Sequence, residues 1–128
     1  MKTSPWKCRV LATLSVLLWG GACRSLVCDD EVIAKWPSPD RTYTATVVTR
    51  ACGATEPDFT VVMVHRTAKD YDRNGDRDDV FVTIGRIDVE PTWTGQSTLL
   101  VKIKTAEGNV RKRVTRLGDV DISYAEMQ

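Results

Sequence analysis

CDDEVIAKWPSPDRTYTATVVTRACGAT, running from Cys28 to Thr55, is the stretch that decides the fold. It reads as two extended segments, Val32–Trp36 and Thr42–Arg50, joined by a turn over Pro37–Arg41. Pro39 presets its own backbone angle, and Ser38 and Asp40 carry short side chains that hydrogen-bond nearby backbone. The second segment is rich in β-branched residues and alternates near its start, so Tyr43, Ala45 and Val47 share one face. A cysteine stands near each end of the stretch, and a Cys28–Cys52 disulfide would close the hairpin.

Further along the chain the same pattern repeats. In Asp58–Arg66, Phe59, Val61, Met63 and His65 share one face and Thr60, Val62 and Val64 the other. Both faces are largely apolar, which predicts a central strand covered on both sides. Asp79–Gly85 is the next strand. Thr98–Lys104 follows, with Leu99, Val101 and Ile103 inward and Leu100, Lys102 and Lys104 outward. Gly108-Asn109 marks a turn into a strand over Val110–Leu117, and Gly118-Asp119 a turn into Val120–Tyr124. No segment has the period of a long amphipathic helix. The expectation is an all-β fold, a small, mostly antiparallel sandwich or half-open barrel.

Upstream, Met1–Arg9 holds three cations and no acid, Val10–Trp19 is mostly apolar, and Gly20, Gly21 and Ala22 precede Cys23. This predicts a signal peptide over residues 1–22 and a single β-rich domain over 23–128. The apolar run is short for a membrane span, which takes ~20 residues. Cys23 directly follows small residues, the position of a lipidated cysteine. A lipid there would tether the domain to a membrane surface without spanning it. With Cys8 in the leader and Cys23 lipidated, Cys28 and Cys52 remain as one pair suited to an oxidising compartment.

Charge narrows the partners. The chain has 18 basic and 17 acidic residues, and setting aside Lys2, Lys7 and Arg9 leaves 15 against 17. A near-neutral domain lacks the basic face that nucleic acid demands. Arg111-Lys112-Arg113, with Arg116 nearby, reads as a solvated strand face.

The most specific motif is DYDRNGDRDD, Asp70–Asp79. Its first six residues match the opening of a calcium loop, and Gly75 permits the turn that brings the acids together. Asp70, Asp72, Asn74, Asp76 and Asp78 are the candidate ligands. The twelfth position holds Phe81 where a bidentate glutamate belongs, and Arg73 and Arg77 offset part of the charge. The competing reading is a soluble hairpin turn at Asn74-Gly75.

No catalytic residue is assigned. His65, the only histidine, lies in an apolar strand without a nucleophile motif and reads as a packed or surface residue. Asp88, Glu90, Asp119 and Asp121 read as charges that keep strand edges from pairing. Trp36 and Trp93 read as core.

Cys23, Cys28, Ser38-Pro39-Asp40, Arg50, Cys52-Gly53-Ala54-Thr55 and Val120–Tyr124 together resemble a family of small, largely uncharacterised bacterial envelope lipoproteins with an SPDG turn and a DCGAT knot. The resemblance covers the first half of the chain well and the second half loosely. Arg41 stands where that turn has glycine, and Ala51 where the knot has aspartate. It implies location and fold but no activity. The expected function is a non-enzymatic cell-envelope protein, lipid-anchored or secreted, periplasmic or at a membrane surface. Its partner would be an unknown envelope protein, with no nucleic acid and no cofactor unless calcium. The alternatives are a calcium-binding β-module using Asp70–Asp79 and a small periplasmic hydrolase inhibitor.

Overall fold

A computed structural model gives the fold and describes residues 28–71, 77–104 and 109–128. Residues 1–27, with the expected signal peptide, Cys8 and Cys23, lie outside the described residues. Among the described residues nine strands follow in chain order: β1 (Asp29–Pro37), β2 (Tyr43–Ala51), β3 (Phe59–Arg66), β4 (Asp79–Ile84), β5 (Val89–Trp93), β6 (Thr98–Ile103), β7 (Val110–Arg113), β8 (Arg116–Leu117) and β9 (Val120–Glu126). They form two sheets, β1-β2-β3-β4-β7 and β5-β6-β9-β8. The sheets pack as a sandwich and do not close into a barrel.

The alternation of side chains in each strand builds the interior. Ala45, Val47, Val62, Val64, Val80 and Phe81 of the first sheet meet Leu99, Val101, Ile103, Val120 and Ile122 of the second. Burying each of these large aliphatic or aromatic side chains is worth ~1.5–3 kcal/mol before conformational entropy is set against it. β3 sits third of five in its sheet, and its other face is covered as well. There Val61 and Met63 pack with Val48 and Tyr71 in a second, smaller cluster. The two-sided apolarity of β3 is borne out.

The β1–β2 hairpin forms as the opening stretch implies. At its turn, Ser38 donates its hydroxyl to Asp40 at 2.9 Å, and the Tyr43 amide donates to the Ser38 hydroxyl at 3.1 Å. The Thr42 amide donates to the same Asp40 carboxylate at 3.1 Å. That amide, with the Ser38 hydroxyl, holds the Asp40 carboxyl below its ordinary pKa. Arg41 takes φ of 60°. Glycine is the residue that adopts this left-handed conformation at least steric cost. At the open end, Cys28 and Cys52 are bonded, with Cα atoms 4.1 Å apart. They continue the strand register by one pair beyond Asp29 and Ala51.

Three elements differ from the sequence expectation. Val110–Leu117 is not one strand. The Val114 amide makes a last bond to Val80 in the first sheet, and the Thr115 carbonyl then accepts the Ile122 amide of the second. The chain therefore changes sheets between β7 and β8. β5 is an additional strand; its Pro91 argues against strand structure in the sequence but is tolerated because β5 is an edge. β9 is interior, between β6 and β8, so Asp121 does not guard a sheet edge. Asp121 points outward and pairs with Arg116 at 3.3 Å. The β6–β9 pairing is parallel and the other pairings are antiparallel. Parallel neighbours need a long crossover, which the excursion through β7 and β8 supplies.

Candidate functional site

The outer face of the first sheet concentrates polar side chains. Arg50, on β2, donates through Nε and Nη2 to the two carboxylate oxygens of Asp30 at 2.8 and 3.0 Å. Its Nη1 donates to Asp79 at 3.0 Å. The register brings Asp30 directly opposite Arg50. Asp79 is opposite Met63, which pairs with Thr46, four residues from Arg50 on the same face of β2, and the long arginine side chain bridges that span. The three side chains are only 12%, 5% and 4% exposed. Hydrogen bonding to Asp30 is the foremost reason that the guanidinium pKa is raised further above its already high value; burial opposes the rise and the charge of Asp79 adds to it. This cluster ties β1, β2 and β4 together.

The acidic run Asp70–Asp79 begins and ends on this face. Asp72, Asn74 and Asp76 lie outside the described residues. Asp70 accepts the Tyr71 amide at 3.1 Å, and Tyr71 is buried against Val48, Val61 and Met63. The Asp78 carbonyl accepts the Val64 amide. Asp79 turns inward to Arg50. Among the described residues, no group of three or more His, Cys, Asp and Glu comes together as a metal site. The strands on either side of the run, β3 and β4, do pair antiparallel, as a hairpin requires.

His65 is buried on the same face. Its Nδ1 lies 2.7 Å from the Lys69 carbonyl and 3.0 Å from that of Arg66, and carbonyls only accept, so Nδ1 carries the proton. Nε2 then accepts the Thr46 hydroxyl at 2.9 Å. The arrangement has the order hydroxyl, imidazole and orienting group found in nucleophilic sites. Thr46 is 0% exposed, however, so no substrate reaches its oxygen. The histidine is a packed residue that fixes the start of the 67–71 segment to β2 and β3.

The sandwich is open along both sides, and each opening forms a groove. On one side, between β1 and β5, a groove of about 560 Å³ is lined by Ile33, Trp36, Ile87 and Val89 with Arg86 and Glu90 among its charged residues. Trp93 spans this side by donating its indole N–H to the Trp36 carbonyl at 2.7 Å, and both tryptophans pack on the core. On the other side, between β7 and β9, a groove of about 310 Å³ has Phe81, Ile103 and Tyr124 in its lining and Arg113 and Glu126 as its charged residues. The Tyr124 hydroxyl lies 2.6 Å from the Val114 carbonyl and 2.9 Å from that of Val80. Burial pushes its pKa up to about 12, against the opposing effects of the Val114 bond and the Arg113 charge. The Arg113 guanidinium stacks 4.4 Å from the ring centroid.

Sequence reasoning found the Cys28–Cys52 pair and the Ser38–Asp40 turn. It singled out Arg50 without its partners, and it did not find the Arg113–Tyr124 stack. The charged interruption of a Thr- and Val-rich strand was the available signal for Arg50; none marked the stack. No family model, curated protein or solved structure matches this chain.

Proposed function

We propose that the protein is a non-enzymatic cell-envelope domain, exported and either lipid-anchored at Cys23 or secreted, that acts through protein or surface contacts. The observation that carries this reading is the Cys28–Cys52 disulfide, a bond that persists in oxidising compartments and is rare in the cytosol. The leader-like start of the chain supports it. The buried Thr46–His65 pair offers no accessible nucleophile, and the open grooves offer surfaces for contact.

The test is the intact mass of the protein extracted from cell envelopes, before and after reduction. A chain that begins at Cys23, carries acyl groups and gains two hydrogens on reduction supports the anchored form. A chain beginning nearby without acyl groups supports the secreted form. An intact leader with free thiols overturns the reading.

A calcium-binding β-module is the second reading, favoured by the spacing of Asp70–Asp79. Its test is thermal melting with millimolar calcium and with chelator. A calcium-dependent rise in Tm supports a stabilising ion, and identical curves remove it.

A further inference from the structure

We propose that the groove between β7 and β9 binds an extended acidic peptide segment, which adds as a strand to the outer edge of β7. This rests on the reading of the protein as a domain acting through protein contacts, and it names the surface and the chemistry of the partner.

Four observations converge on the groove. β7 is the terminal strand of its sheet, and no described strand pairs with its outer edge. Its backbone N–H and C=O groups on that side can take up a strand from a partner, the usual mode of extended-peptide recognition at sheet edges. The edge is basic: Arg111 and Arg113 are exposed, and among the described residues no carboxylate pairs with either. The register puts Val110 opposite Thr83 and Arg113 opposite Phe81, so both stand on the groove side of the strand.

The apolar part of the groove is preorganised. The Tyr124 hydroxyl is anchored to the Val80 carbonyl of β4 and to the Val114 carbonyl where the chain crosses between the sheets, so the ring that supports Arg113 is held in place. A guanidinium positioned over a fixed ring keeps its donors directed to an incoming carboxylate with little ordering left to do. The volume of about 310 Å³ lies at the bottom of the ~300–1,000 Å³ range of small-molecule pockets. It therefore suits one inserted apolar side chain, with Val110, already 36% exposed, covered at the rim. The occupant that fits is a strand with an acidic residue two positions from a large apolar one, because side chains on one face recur every second residue.

A dye-labelled octapeptide alternating aspartate and phenylalanine with threonine serves as the probe, read by fluorescence anisotropy against the full folded domain. Saturable binding is expected, weakened about tenfold by Arg113→Glu and again when asparagine replaces the probe's aspartates. Amide NMR shifts should concentrate in Val110–Arg113 and Tyr124–Glu126. Arg113 is exposed, so the variant should retain its circular dichroism spectrum; Arg111→Glu repeats the test at the same edge. Absence of saturable binding up to millimolar probe overturns the proposal. So do binding indifferent to both reversals, shifts confined to β1 and β5, and binding to phosphatidylglycerol vesicles without binding to the peptide. If capture from envelope extract recovers a protein partner whose binding ignores Arg113, the groove is wrong while the contact role stands. A failure of the intact-mass test removes the envelope reading and leaves this binding result unaffected.

Discussion

Replacing Arg50 with methionine isolates the energetics of the buried ion cluster. Methionine keeps much of the length and apolar stem of arginine but strands two carboxylates, Asp30 and Asp79, whose side chains are 5% and 4% exposed. Three charge-assisted hydrogen bonds, at 2.8, 3.0 and 3.0 Å, are lost at once. Removing one partner from a buried ionic cluster typically destabilises by ~3–5 kcal/mol, because the remaining charge has lost both water and counter-ion. Against a whole-domain stability of ~5–15 kcal/mol this is a large fraction. In a domain of this size it corresponds to a fall in Tm of at least about 12 °C. Urea unfolding at neutral pH and low salt measures it. The diagnostic comparison is the triple variant R50M/D30N/D79N, which removes the stranded charges while keeping side-chain shape. It should recover most of the loss, since replacing a whole buried ionic cluster is far milder than breaking it. A loss below about 1 kcal/mol for R50M would show that the cluster is not desolvated as its burial indicates. A triple variant no more stable than R50M would show that the loss comes from packing, not from stranded charge.

Arg41→Gly should stabilise the protein by about 0.5–1 kcal/mol, because relief of the left-handed backbone outweighs the added chain entropy; a denaturant midpoint that moves down would contradict this. Replacing both Cys28 and Cys52 with alanine should destabilise by ~3 kcal/mol for a separation of 24 residues, visible as a lower Tm that added reductant no longer changes. Tyr124 titrates near 10 when unfolded and is pushed up to about 12 when folded, so between these values the folded state holds a proton that the unfolded state releases. Stability should therefore fall as pH rises through that window, and Tyr124→Phe should flatten the fall in urea melts made across it. At neutral pH the same variant should be about 1 kcal/mol less stable, since the Val114 carbonyl loses its donor.

Much of the fold was legible because it rests on local rules. The β-branched alternation of Tyr43–Val47, the Ser38–Asp40 turn and the two-sided apolarity of Phe59–Val64 each follow from short-range chemistry. Where the reading failed, a non-local preference had won. The strand β5 was not assigned, and its Pro91 fits a strand only because β5 is an edge; only the position of both sheets reveals that Val114-Thr115 is a crossing point and not the middle of a strand. The candidate metal ligands were legible as spacing alone; of the two among them that are described, Asp70 accepts the Tyr71 amide through its carboxylate, and Asp78 accepts the Val64 amide of β3 through its backbone carbonyl.

By itself the sequence determined the strand-rich character of the chain, which faces turn inward and that Cys28 and Cys52 flank one hairpin, because side-chain period and residue chemistry are carried within a few residues. Only the tertiary structure decided the partners of Arg50, the burial of the Thr46–His65 pair, the parallel return of β9 beside β6 and the meeting of Arg113 with Tyr124. Each of these joins residues on different strands, and such pairings depend on register and sheet order, which no local spacing encodes.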